Sequence, residues 1–156
     1  MGKIVVVDPQ ERIQEAIAKI RAKGHRLTPQ RMAVLKALIA GDDHPSAAQI
    51  YQRVRADFPM VSLATVYQTI ALLKEVDEVW ELGFGEGGNR YDGLRPHPHP
   101  HLICMQCGRI VDLESEALEQ IARRVEQELG YRIVDRRLDL FGICPECQQD
   151  PASSSL

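Results

Sequence analysis

No run of apolar residues in this sequence approaches the roughly 20 needed to cross a bilayer as a helix, so a membrane-spanning helix is excluded. The first residues hold only the short run Ile4 to Val7, without a long apolar core or a small-residue cleavage site. They do not read as a secretory signal, and the expected location is the cytoplasm. Internal repeats are absent. Neither sign of charge dominates: the net charge is −3, which by itself points to no partner. Cysteine is scarce, with four in the chain, all in two close pairs. What remains is ordinary for a folded protein, 44% hydrophobic and 26% charged. At 156 residues the chain suffices for one medium domain or two small ones.

Helix signals crowd the first half. Asp8-Pro9 places a cap before a proline suited to the first helical position, with Glu11 completing a box-like pattern. Ile13, Ala16, Ile17 and Ile20 then recur on one face, and Gly24 ends the helix. Thr28-Pro29 opens a second helix, with Val34, Leu35, Leu38 and Ile39 inward and Gly41 as its stop. Ser46 with Gln49 opens a third, which closes before Pro59. Ser62 opens a fourth, with Val66, Ile70 and Leu73 inward. Val79 to Leu82, a glycine-rich turn over Gly83 to Gly88, and Asn89 to Tyr91 read as a β-hairpin. Short helices followed by a hairpin is the order of a winged helix-turn-helix. Lys19, Arg21, Lys23, Arg26, Arg31 and Lys36 come with no acid among them, a basic stripe suited to phosphate.

The expected domain organisation is a winged-helix DNA-binding domain over 1–91, a hinge and metal-binding segment over 92–101, a zinc-bearing domain over 102–150 and a flexible tail over 151–156. In the second half His101 to Ile103 and Arg109 to Leu113 read as strands, Glu116 to Leu129 as an amphipathic helix, and Tyr131 to Phe141 as one long strand. The fold class expected is α+β: an N-terminal winged helix followed by a small α/β domain.

Cys104, Cys107, Cys144 and Cys147 form two C-x-x-C pairs. In a cytoplasmic protein this favours metal over disulfides. Zinc prefers tetrahedral sulfur, and a closed set of four thiolates leaves no open position for catalysis. The cage is therefore expected to be structural. A thioredoxin-like redox pair would need a βαβ setting that is missing.

A second set of ligand types lies nearby. His97, His99 and His101 alternate with prolines, Asp92 and Asp112 flank them, and His44 sits before the third helix. Imidazole and carboxylate suit Fe²⁺, Mn²⁺, Zn²⁺ or Co²⁺ and do not suit Cu⁺. Spacing alone leaves a regulatory site and a polar linker both open. Pro98 and Pro100 forbid a central strand, so the segment is expected at an edge or in a loop.

Taken together, the chain resembles the ferric uptake regulator family, and within it the peroxide-sensing branch. The resemblance runs from about Gly24 to Cys147. It is carried by Arg26-Leu27-Thr28-Pro29-Gln30-Arg31, His44-Pro45, Ser62 to Tyr67, His99 to Cys104, Cys107 to Asp112, and Cys144 to Cys147. It implies a homodimer formed through the C-terminal domain, and binding to double-stranded DNA at an AT-rich inverted repeat. It implies Cys104, Cys107, Cys144 and Cys147 as structural zinc ligands, and His44, Asp92, His99, His101 and Asp112 as regulatory ligands for Fe²⁺ or Mn²⁺, with Zn²⁺ an alternative ion. The stretch from Asp92 to His99 is one residue longer than in the family's peroxide regulators, which leaves His97 as a substitute ligand. Aspartate at 112 is the peroxide-sensor residue, where iron regulators usually carry glutamate. In such sensors oxidation falls on ligand histidines, here His44 or His99. Arg136 stands where iron regulators place a histidine ligand of a further site, and arginine cannot ligate. Glu119 matches another ligand of that site.

The expected function is a metal-dependent transcriptional repressor responding to peroxide, and not an enzyme. One ion held by both halves would fix their orientation, a hinge-closure switch. Ser62 to Leu73 is the expected recognition helix, with Ser62, Thr65, Tyr67 and Gln68 as DNA contacts and Arg26 and Arg31 on phosphate or in the minor groove. An iron, zinc or manganese uptake regulator of the same family is the alternative. A zinc-stapled interaction protein is more remote. So is a zinc hydrolase or deaminase, since His101 and Ile143 stand where the deaminase pattern needs glutamate and proline.

Overall fold

Four capped helices and a hairpin build the first part of the chain. In the computed structural model, which describes residues 7–83, 88–114 and 116–149, helix α1 spans Pro9–Ala22. The Asp8 side chain accepts from the Gln10 N–H, 2.8 Å away. Asp8 thus caps alone, without the reciprocal box expected from Glu11. Gly24, at φ +79, takes the left-handed turn after the helix that costs a side-chain residue most. Helix α2 (Pro29–Ile39) is capped by Thr28 through the Arg31 N–H, and α3 (Ala47–Asp57) by a complete box between Ser46 and Gln49. Helix α4 (Leu63–Glu75) starts at Ser62. The hairpin pairs β1 (Trp80–Gly83) with antiparallel β2 (Asn89–Asp92), in the register Trp80 to Asp92. Residues 84–87 of the expected turn, most of the run Ile4 to Val7 and the tail 151–156 lie outside the described residues.

The predicted apolar faces meet in one core. Ile13, Ala16, Ile17 and Ile20 of α1 join Val34, Leu35, Leu38 and Ile39 of α2, Ile50 and Val54 of α3, and Val66, Ile70 and Leu73 of α4. Each fully buried aliphatic side chain contributes about 1.5–3 kcal/mol through area removed from water. A charged pair, Arg12 and Glu78, is buried beside them. The Arg12 guanidinium bonds Glu78 at 2.6 Å and reaches the carbonyls of Gly93 (3.1 Å) and Leu94 (3.2 Å). Arg12 and Glu78 are paired, so neither charge is buried alone, and the arginine pins the chain leaving β2 to α1.

The rest of the described chain is a three-stranded sheet in the order β4-β3-β5, with β3 (His101–Cys104), β4 (Ile110–Asp112) and β5 (Asp139–Gly142), joined by α5 (Glu116–Leu129) and ended by the short α6 (Pro145–Gln148). β3 pairs antiparallel with β4 and parallel with β5. Residues 7–97 and 98–149 fall into two separate compact units.

Two expectations are corrected here. The long strand over Tyr131 to Phe141 is limited to Asp139–Gly142. Upstream of it, backbone amides are taken by side chains instead of a ladder: Ile133 N–H by Glu126 and Arg136 N–H by Asp135. The His-Pro segment does not stay at an edge throughout, because His101 opens the central strand. Pro98 and Pro100 lie in the lead-in, where the absent N–H costs the ladder nothing, and the Pro100 carbonyl accepts from Leu113 N–H at 2.8 Å.

Two measurements check this account. A Cβ at Gly93 would lie 2.8 Å from Leu38 Cγ and 3.1 Å from Ile39 Cγ1. Gly93→Ala is expected to destabilise the helical unit by about 1–3 kcal/mol in urea unfolding; an unchanged midpoint would contradict the packing. Hydrogen bonding to Lys74 holds the Glu81 carboxyl below its usual range, aided by Asn89. A depressed folded-state pKa stabilises above the unfolded value near 4.5, and that contribution is lost as pH falls through the folded value. Glu81→Gln should therefore shrink the loss of stability between neutral pH and about pH 3, read by thermal melts across that window.

Candidate metal centres and nucleic-acid interface

The four cysteines are brought together from two turns. Cys104 ends β3, and its carbonyl accepts from Gly108 N–H while its own N–H donates to Arg109 O, folding Cys107 back toward it. Cys144 precedes α6 and Cys147 lies within it. All four Sγ atoms lie within 4.8 Å of one another, and Cys107 and Cys144 are 3.8 Å apart. Four sulfurs each about 2.3 Å from one tetrahedral ion stand about 3.8 Å apart, far beyond a disulfide bond. The donor set therefore fits zinc. Backbone N–H groups of Cys107 and Cys144 pull the Cys104 thiol down to about 6, toward the thiolate a metal requires. Hydrogen bonding to Cys144, burial and the neighbouring thiols push Cys147 up to about 12. Arg109 and Glu146, one beside each pair, form a two-point ion pair at 2.9 and 2.6 Å. That pair raises the arginine and lowers the glutamate.

The candidate nitrogen and oxygen ligands fall into two sets, one in each unit. In the helical unit His44 Nε2 lies 3.5 Å from Asp92 Oδ2. Asp92 is aimed by its other oxygen, which accepts from Leu94 N–H (2.9 Å) and Arg95 N–H (2.8 Å). His44 Nδ1 lies 2.7 Å from the Asp42 carbonyl. A carbonyl can only accept, so Nδ1 carries a proton, and Nε2 is the nitrogen His44 has to offer a metal. His44 also has φ +48, a left-handed backbone costing about 1–2 kcal/mol for a residue with a Cβ.

In the sheet unit, the β3–β4 register sets His101 opposite Asp112. His99 Nε2 lies 3.1 Å and His101 Nε2 3.8 Å from the same Asp112 Oδ1, with ring centroids 4.4 Å apart. On its far side His101 Nδ1 meets Asp139 Oδ1 at 3.3 Å, and Asp139 is paired with Arg137. Neither Asp139 nor Asp42 was singled out by sequence. Asp139 is reached only through the parallel pairing of β5, which no local pattern announces. His97 is exposed, and its N–H donates to the Arg95 carbonyl at 2.8 Å. Glu119 is ion-paired with Arg136, a fixed cation in place of a ligand.

The proposed DNA contacts divide by exposure. Ser62 and Thr65 spend their hydroxyls on the α4 cap, with Ser62 Oγ 3.1 Å from Thr65 N–H and 2.9 Å from Thr65 Oγ1. Tyr67, 53% exposed, and Gln68 lie on the exposed side of α4; Leu63 and Met60, which sequence reasoning did not single out, are exposed as well. Arg26 is exposed; Arg31 is half-buried and donates to the Arg26 carbonyl at 2.9 Å. Lys19, from the basic stripe, is paired with buried Glu78 and so is engaged within the protein.

The chain matches the model of the ferric uptake regulator family over residues 22–141. It is 39% identical over 139 residues to the peroxide-responsive repressor PerR of Staphylococcus aureus, covering 89% of this chain and 93% of that protein. Among solved structures it is similar to PerR from Streptococcus pyogenes, described for peroxide sensing and gene regulation, with 32% identity, a TM-score of 0.50, and 87% and 92% of the two chains covered. The ferric uptake regulator of Helicobacter pylori, described with three functional metal-binding sites, shares the fold at 22% identity and a TM-score of 0.79, over 92% of this chain and 96% of that one.

Proposed function

Because the chain belongs to the ferric uptake regulator family, whose members are metal-responsive DNA-binding regulators that act as dimers, we propose that it is a peroxide-responsive repressor. It holds an AT-rich inverted repeat while one Fe²⁺ or Mn²⁺ ion is shared by His44 and Asp92 with His99, His101 and Asp112. Structural zinc sits on Cys104, Cys107, Cys144 and Cys147.

The observation that carries this reading is the paired ligand sets. Each unit presents imidazole nitrogens beside a carboxylate, and His44 and His101 have their other ring nitrogen already engaged. Such donors suit iron, manganese or zinc. When bound, the ion supplies a cross-link between the sets and, as iron, a reductant for peroxide. The residues do the rest. His44 and Asp92 belong to the unit that carries α4, so ligation ties the reading helix to the sheet unit. A swing from 1:99 to 99:1 between released and fixed forms needs about 5.5 kcal/mol of preference, within reach of several ligand bonds. Two such units in a dimer would set their α4 helices roughly 34–36 Å apart, the spacing of successive major grooves. Tyr67 would then meet thymine methyls and Gln68 adenine edges, with Arg26 and Arg31 on phosphates and the Ser62–Thr65 cap at the helix start. His44 or His99 would take up oxygen when the iron form meets peroxide.

Dimer formation through the sheet unit is supported by its uncovered apolar residues. Ile121 and Leu129 of α5, Leu140 and Phe141 of β5, and Val134 are all exposed, although α5 is strongly amphipathic.

The test is a gel shift of zinc-replete protein on an AT-rich inverted repeat, with Mn²⁺, Fe²⁺, Zn²⁺ or chelator. Mn²⁺ and Fe²⁺ should each tighten binding on the order of 5–150-fold. Low peroxide should release only the iron form, with one oxygen added to His44 or His99 by mass spectrometry. Equal binding with metal and with chelator, or an unaltered metal response in His44→Ala, would sink the reading. A metal response indifferent to peroxide would make the protein an uptake regulator instead. Separately, Cys104→Ser or Cys147→Ser should lose the tightly held zinc and the order of the sheet unit, since binding energy there is folding energy. Metal analysis with circular dichroism checks it, and full order in a zinc-free variant would contradict the structural role.

A further inference from the structure

The loop carrying His44 is held by the hairpin, and by one side chain above all. Residue 46 bridges to residue 90 in antiparallel fashion, and Tyr91 N–H donates to the Pro45 carbonyl at 3.0 Å. Between these backbone contacts the Arg90 guanidinium uses two arms. Nε donates to the His44 carbonyl, and Nη2 donates to the Asp43 carbonyl at 2.8 Å. The Asp43 carboxylate is in turn paired with Arg53 of α3, whose Nη1 also reaches the Ala37 carbonyl of α2 at 3.4 Å. The two carbonyls gripped by Arg90 flank the His44 peptide, whose residue sits at φ +48. A left-handed histidine outside a glycine position persists where its surroundings hold it there. With this turn Nδ1 meets the Asp42 carbonyl while Nε2 faces Asp92, which lies two residues after Arg90.

We propose that Arg90 is a positioning residue for metal binding: its two-armed hold on the Asp43 and His44 carbonyls keeps His44 in its left-handed turn with Nε2 aimed beside Asp92. This rests on His44 being a regulatory ligand. Lysine cannot replace it, because a single ammonium lacks the planar fork that reaches both carbonyls. The consequence for regulation is that strand β2 of the hairpin and the His44 loop form one mechanical piece, so metal occupancy and hairpin position are coupled through Arg90.

The experiment is a Co²⁺ titration of the zinc-replete full chain, followed by visible absorption, in five proteins: unchanged, Arg90→Gln, Arg90→Lys, His44→Ala and the Arg90→Gln/His44→Ala double variant. Thermal melts without Co²⁺ are run alongside. Arg90→Gln should weaken Co²⁺ on the order of 10–100-fold, the usual scale for a residue that orients a ligand, with the metal-free melt little changed. In the His44→Ala background the same change should add no further loss, because nothing remains to be positioned. Arg90→Lys should show the same weakening, and it replaces Arg90→Gln if that variant does not fold. Unaltered Co²⁺ affinity in Arg90→Gln and Arg90→Lys, with His44→Ala weakened, overturns the role of Arg90 alone. An equal extra loss in both backgrounds overturns it too, since Arg90 would then act through something other than His44. Unaltered affinity in His44→Ala overturns this proposal together with the metal reading beneath it.

Discussion

An imidazole can give a metal only the nitrogen that its other nitrogen's hydrogen bond leaves available, and this protein's candidate centre depends on that constraint. His44 turns Nδ1 to the Asp42 carbonyl, and His101 turns Nδ1 to Asp139. Each thereby presents Nε2 to a carboxylate, Asp92 or Asp112. The ligand residues would have little meaning in other rotamers. What selects these rotamers lies outside the ligand set: a left-handed backbone at 44 gripped by the hairpin, and a parallel strand that brings residue 139 beside residue 101.

Arginine serves the architecture in the same manner at several places, joining segments distant in sequence through a planar, multidentate head. Arg12 ties α1 to the chain leaving β2, just after Asp92. Arg90 ties β2 to the His44 loop. Arg109 ties one cysteine pair to the other through Glu146. Arg136 occupies Glu119. Three of the four act on residues next to candidate ligands, so fixed cations brace the surroundings of both candidate metal sites. The fourth places a permanent charge where the resemblance suggested that related proteins hold a further ion.

The two units differ in how they satisfy their apolar surface. The helical unit buries its own, with the inward faces of all four helices closing on one core. The sheet unit leaves Ile121, Leu129, Leu140 and Phe141 exposed, and Ala122 is the buried residue of α5. A strongly amphipathic helix with its apolar stripe uncovered is a surface made for association, in keeping with a family whose members act as dimers.

Much of this was legible in order along the chain. Helix starts at Asp8, Thr28, Ser46 and Ser62 are local events, governed by which side chain can accept from an orphan backbone N–H, and the sequence alone determined them. So were the apolar faces of those helices, since a period of 3.6 residues is a property of neighbours. The two C-x-x-C pairs pointed to the sulfur cluster that the structure assembles, and the histidines with their flanking acids pointed to the second group of candidate ligands. Only the tertiary structure decided that the long strand expected from residue 131 begins at Asp139, and that His101 opens a central strand behind Pro100. It alone produced the partners Asp42, Asp139 and Arg90. Asp139 and Arg90 reach their histidines through segments about forty residues away in sequence, while Asp42, only two residues from His44, meets its ring at a left-handed turn that the hairpin contacts. No window of neighbouring residues contains the pairing of β5 with β3 or of the hairpin with the His44 loop.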